Sequence, residues 1–97
     1  MPGYVIADVD VQDPEAYEEY KRLVPGTLEP YGGRFLVRGG DVERLEGGWE
    51  AHRVVVLEFP STDDARRWYA SDGYSRAKAM RQRASAGSLL LVAGAGA

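Results

Sequence analysis

The stretch YVIADVDVQDPEAYEEYKRLV, residues 4–24, changes its hydrophobic period from two to between three and four. From Tyr4 to Val11 the residues alternate. Val5, Ala7, Val9 and Val11 fall on one side, and Tyr4, Ile6, Asp8 and Asp10 on the other. Such alternation, rich in β-branched residues, predicts a strand with one fully apolar face. Asp13-Pro14-Glu15 then supplies a helix start: a carboxylate at the N-cap, proline at the first helical position and an acid in the first turn. Tyr17, Tyr20, Val24, Leu28 and Tyr31 follow at spacings of three and four, along one helical face. Pro25 interrupts that face, removing a backbone donor and crowding the carbonyl one turn back. A kink or break is expected there, before Gly32-Gly33 ends the segment.

Outward from this stretch, Arg34 to Arg38 reads as a second strand, with Phe35 and Val37 on one side. After a bulge or turn at Gly39-Gly40, Val42 to Leu45 is expected to continue the ladder. Gly47-Gly48 begins the return, Arg53 to Phe59 is the third strand, and Pro60 stops it. Ser61-Thr62-Asp63-Asp64 is a capping box opening a helix that turns Ala65, Trp68 and Tyr69 inward. Ser71-Asp72-Gly73 breaks that helix, and Tyr74 to about Ala84 forms a second piece, with Tyr74, Ala77 and Met80 on one stripe. Ser88 to Ala93 is the last strand. The order β-α-β-β-α-β, its second helical arm split in two, is the ferredoxin-like α+β arrangement: a four-stranded antiparallel sheet with helices on one face.

Composition narrows the function classes. The 97 residues make a single domain, 1–97, whose glycine- and alanine-rich tail at about 94–97 is expected to fray. There is no cysteine and one histidine, so thiolate metal sites, disulfides and two-imidazole sites are out of reach, and no metal is expected. Twelve Lys and Arg against fifteen Asp and Glu leave a net charge of −3, which argues against nucleic acid as a partner. The longest uncharged apolar stretch, Ser85 to Ala97, falls short of the roughly 20 residues that span a membrane. With no basic start followed by an apolar run, a cytoplasmic location is the default expectation.

Val54-Val55-Val56-Leu57 and Leu89-Leu90-Leu91-Val92 are apolar on both sides. A sheet covered by helices on one face alone should alternate cleanly. The chain has no spare element for its second face, so a second copy stacked sheet to sheet, a homodimer, is expected.

Several linked blocks carry a family likeness: Tyr31-Gly32-Gly33-Arg34-Phe35-Leu36-Val37-Arg38-Gly39-Gly40, Leu45-Glu46-Gly47-Gly48-Trp49, Val54 to Ser61, and Ala65-Arg66-Arg67-Trp68-Tyr69-Ala70-Ser71 with Tyr74. Together they resemble the family called domain of unknown function 1330, over nearly the whole chain. The resemblance implies a dimeric α+β barrel, in which two ferredoxin-like chains pack their sheets together. Its relatives by fold include cofactor-independent oxygenases, isomerases, haem proteins and sensing domains, so fold alone assigns no activity.

Among the residues, His52 is the one side chain whose ordinary pKa lies near neutrality. It is the candidate catalytic proton shuttle, or else a strand-end histidine without a role. Tyr17, Tyr31, Trp68, Tyr69 and Tyr74 are candidate ligand-binding residues, since large aromatics with polar tips can line a pocket and orient a flat molecule. Asp8, Arg34, Arg38 and Glu58 lie on strands and are expected to pair as an interface ion network, the alternative being to bind an acidic substrate, since arginine forks match carboxylates. Arg66, Arg67, Arg76, Lys78, Arg81 and Arg83 read as a solvated helical face. The functional expectation is a homodimer binding a small aromatic or polyketide-like molecule between helices and sheet. Isomerisation or oxygenation would proceed there without a cofactor; the alternative is a non-catalytic ligand-binding or stabilising module.

Overall fold

The computed structural model describes residues 1–96. Its elements follow the order β1 (Gly3–Val11), α1 (Pro14–Leu28), a 3₁₀ turn (Glu29–Tyr31), β2 (Arg34–Arg38), β3 (Arg53–Phe59), α2 (Thr62–Ala70), α3 (Asp72–Ala84) and β4 (Ser85–Ala93). The sheet runs β2-β3-β1-β4, with all three pairings antiparallel. This is the ferredoxin-like α+β fold, with the split second arm that the sequence predicts. No helix among the described residues is long and apolar enough to cross a membrane.

Parity sets the two faces. Val5, Ala7 and Val9 of β1 are buried, and their cross-strand partners Leu57, Val55 and Arg53 share their face. Tyr17, Tyr20, Val24 and Leu28 of α1, Trp68 of α2, and Tyr74, Ala77 and Ala84 of α3 close over it. The opposite face carries Ile6, Val54, Val56, Leu90 and Val92, with Leu90 61% exposed. The two-sided apolar character of the central strands is therefore real in three dimensions.

Local chemistry fixes the element ends. Asp13 accepts the Ala16 N–H at 3.2 Å, and Ser61 accepts that of Asp64 at 3.0 Å. Ser71, in extended conformation, serves both helices of the second arm. Its hydroxyl donates to the Trp68 carbonyl at 2.7 Å and accepts from the Tyr74 N–H at 3.1 Å. The interruption is thus one residue wide, and Asp72 and Gly73 already belong to α3.

Six local expectations are corrected. The break at Pro25 does not occur: helix α1 is continuous from Pro14 to Leu28, because its buried face continues to Leu28 and the stranded Lys21 carbonyl finds another donor. A register shift between Phe35 and Val37 places Val37 opposite Val56 and Arg38 opposite Val55, so Phe35 and Val37 point to opposite faces. Val42 to Leu45 adds no strand. Gly39, at φ +71°, donates to the Val54 carbonyl, and residues 41–45 pair with no strand. The buried stripe of α3 is Tyr74, Ala77, Arg81 and Ala84 in place of Met80, and Tyr69 is 39% exposed. Strand β4 starts at Ser85, since Gly87 passes directly against the Asp8 carbonyl, where a Cβ would collide.

Candidate functional site

Between the helices and the inner sheet face lies a narrow crevice. Its floor is Val5, Ala7, Val9, Val55 and Leu57. Tyr17, Tyr20, Val24, Trp68, Tyr74 and Arg81 reach down from the helices. The enclosed space is ≈ 40 Å³. A dry cavity of about 150 Å³ accepts a benzene ring, so here a ring enters only as side chains give way. Lys21, Arg38 and Arg53 line both the crevice and an open basin of ≈ 510 Å³ outside it. They form the mouth.

Aromatic rings make the inner wall. Trp68 lies 4.0 Å from Tyr74 and 5.4 Å from Phe59, centroid to centroid, and Tyr17 is 5.3 Å from Tyr20. The Tyr20 and Tyr74 hydroxyls are 2.8 Å apart, and Arg81 Nε donates to the Tyr74 oxygen at 3.4 Å. Burial, reinforced by Tyr74, pushes the Tyr20 phenol well above its ordinary range. Burial also works against the Arg81 charge, but the hydrogen bond to Tyr74 and the neighbouring phenols outweigh it and raise the guanidinium's pKa. The two phenols hold two protons and share one hydrogen bond. One proton therefore has no acceptor among the described residues.

The structure brings Tyr17, Trp68 and Tyr74 together in this crevice. Tyr31 packs half-buried at the far end of α1, and Tyr69 borders a separate groove with Arg66 and Leu89 to Leu91. The Lys78 ammonium sits 4.2 Å over the Tyr69 ring. His52 lies on the opposite sheet face, more than half exposed, with its imidazole 3.7 Å from Asp8 and 3.9 Å from Asp10. There Asp8 accepts the His52 backbone N–H at 2.8 Å and the Trp49 indole N–H at 2.9 Å. Those two bonds, the indole first, hold the Asp8 carboxyl below its usual range.

The four strand charges do not meet as one group. Arg34 pairs with Glu58 on the outer face, its Nε at 2.8 Å, and keeps that carboxyl's pKa low. Asp8 anchors the long connection between β2 and β3, while Arg38 crosses to the helix side. Arg81 leaves the expected solvated face, being only 9% exposed. Sequence reading passes over Lys21, Arg53 and Arg81 as crevice residues. A usable signal existed for Arg53, because counting back by twos from buried Phe59 places it on the inner face.

A ferredoxin-like chain with a crevice between helices and sheet defines a broad structural class, and the comparisons agree. The chain belongs to the domain of unknown function family DUF1330, whose model matches residues 2–95. No curated protein matches it. Among solved structures it is similar to a protein of unknown function from Rhodopseudomonas palustris, at 22% identity and TM-score 0.77, over 99% of this chain and 84% of that one. A dimeric ferredoxin-like protein of unknown function from Jannaschia sp. CCS1 aligns at 16% identity and TM-score 0.68, over 95% and 96% of the two chains. SnoaB, a cofactor-independent oxygenase from Streptomyces nogalater, aligns at 15% identity and TM-score 0.65, over 99% and 95%. At these identities the likeness concerns the fold.

Proposed function

We propose that this protein is a homodimer that binds a small, flat molecule in the crevice between its helices and its sheet. The observation that carries this is the crevice itself: stacked Tyr17, Tyr20, Trp68 and Tyr74 on the inside, and cationic side chains at an open mouth. Aromatic walls with a few convergent polar groups are the usual make-up of small-molecule sites. The exposed apolar residues of the second sheet face support the dimer, as does the dimeric neighbour of the same fold.

Catalysis is the second reading, and the lining bears on its form. The residues around the crevice include no carboxylate and no imidazole, and His52 is on the other face. A protein general base of near-neutral pKa is therefore missing from the described lining. Isomerisation or oxygenation without a cofactor would suit a substrate acidic enough to ionise by itself, with Lys21, Arg38, Arg53 and Arg81 stabilising the anion.

Mass spectrometry of small molecules released from the purified, natively folded protein tests both readings. A co-purifying aromatic compound lost in Tyr74→Ala supports the binding site, and its conversion by the protein supports catalysis. Conversion that persists in His52→Ala and falls in Tyr74→Ala places the chemistry in the crevice and not at His52. A protein that retains no such compound, and whose Tyr74→Ala variant matches the wild type in every ligand screen, overturns the site.

A further inference from the structure

Resting on that proposal and narrowing it, we propose that the crevice takes a flat carboxylic acid, its carboxylate held at the mouth between the Arg38 and Arg53 guanidiniums. Arg22, Arg34, Arg44, Arg66 and Arg67 each have a carboxylate within ion-pair distance. Arg38 and Arg53 have none among the described residues, although both line the crevice and its outer basin. Of the side chains around that basin, Lys21, Arg22, Arg38 and Arg53 are cationic against one carboxylate, Glu18. Glu18 is occupied by Lys21 at 2.8 Å, which lowers its pKa ahead of smaller contributions from Arg22 and Arg53. A cationic mouth on a chain of net charge −3 concentrates anions at one place.

Both guanidiniums are held in position before any ligand arrives. Arg38 donates through Nη2 to the Lys21 carbonyl at 2.7 Å and lies 4.2 Å over the Phe35 ring. Arg53 lies 5.6 Å over the Tyr17 ring, and its guanidinium occupies the space where a Cβ on Gly39 would stand. Arg53 Nε is buried with no hydrogen-bond partner. A buried donor without an acceptor is costly, and a carboxylate oxygen is the acceptor that a guanidinium fork matches best. The ring attached to that carboxylate would then point inward along Tyr17 toward Tyr20 and Tyr74. Lysine would not serve equally at position 53, since an ammonium lacks the planar fork.

The test compares 2-naphthoate with its neutral isostere 2-naphthamide, followed by ¹⁵N–¹H correlation spectra of the full chain at about 0.15 M salt. We expect naphthoate to bind about tenfold tighter than the amide or better, with shifts centred on Tyr17, Arg38 and Arg53. Arg53→Met and Gly39→Ala should each weaken naphthoate far more than naphthamide and so remove that preference. Arg38→Met should act likewise. Since it also frees a helical carbonyl, Arg53→Met carries the test if that variant folds poorly. Equal affinity for the two probes overturns the carboxylate assignment and leaves the crevice as a site for neutral molecules. Naphthoate shifts centred on the outer face of α2 and α3 overturn the location. Binding of neither probe overturns this inference, while an aromatic co-purifying with the protein would still uphold the crevice as a site.

Discussion

Arg38 Nη2 donates to the backbone carbonyl of Lys21 at 2.7 Å, and Lys21 is the residue whose carbonyl Pro25 leaves without its helical partner. A strand thus supplies the donor that the helix lacks. The β2 register shift makes this reach available, because it turns Arg38 to the helix side. Restoring an N–H with Pro25→Ala should make the Arg38 bond redundant. Arg38→Met is expected to cost about 0.5–1 kcal/mol in the wild type and much less in the Pro25→Ala background. Urea denaturation of the four proteins of this cycle checks it, and equal costs in both backgrounds would show that the two residues are uncoupled.

Trp68 is the anchor of α2. It is 1% exposed, and its indole N–H donates to the Thr27 hydroxyl at 3.0 Å, which donates on to the Val24 carbonyl at 2.7 Å. Trp68→Ala should cost roughly 3–5 kcal/mol as a large cavity opens. Thr27→Val keeps the shape but strands the indole donor, for about 1 kcal/mol. Tyr69→Phe should be neutral to within about 0.5 kcal/mol, its ring being partly exposed. Chemical denaturation ranks the three, and a costly Tyr69→Phe would place that hydroxyl in a contact the structure does not contain.

Asp8 ties the β2–β3 connection to the outer sheet face through Trp49 and the His52 backbone. Its carboxyl pKa is lowered in the folded state, chiefly by the Trp49 bond. A lowered folded pKa means that the stabilisation is complete above the unfolded value of about 3.9 and is lost as pH falls through the lower native one. The Trp49 indole N–H resonance should therefore hold its position on acidification and move with a midpoint below about 3.9. Asp8→Ala should free the indole at neutral pH while the sheet stays folded. A midpoint at or above the ordinary aspartate value would contradict the anchoring.

Period and punctuation made the element order legible in the sequence. Val5, Ala7 and Val9 announce a strand, and Tyr17, Tyr20 and Val24 announce a helix, because burial of one face is a local requirement. The β2 register shift was not legible. One unpaired residue flips every later side chain, and glycines two positions on from Val37 mark a turn as well as a bulge. The crevice was legible in its rings but not in its cations. Arg53, Lys21 and Arg81 meet there from a strand and two helices, and charged residues read one at a time look like solvated surface. His52 drew notice for its titration alone. What it faces is decided by Asp8, across a separation that no sequence spacing encodes.

The proposed dimer would use Ile6, Val56, Leu90 and Val92 on the outer sheet face, which no helix covers among the described residues; the β2–β3 connection lies beside it along Val54. Leu36 and Val37, 45% and 39% exposed, extend that apolar surface along β2. A stable association buries about 1,200 Å² or more in total, and a sheet-on-sheet contact about a two-fold axis uses the same patch twice. A single charge placed on it therefore enters the interface twice, each time without a partner. Leu90 sits opposite Ile6 and stands well clear of the inner core, so Leu90→Lys disturbs the folded chain little. Sedimentation at micromolar concentration should show a dimer for the wild type and a folded monomer for Leu90→Lys. In the monomer the helical crevice, on the far side of the sheet, should keep its naphthoate affinity. A wild type that sediments as a monomer would leave the outer face without its partner.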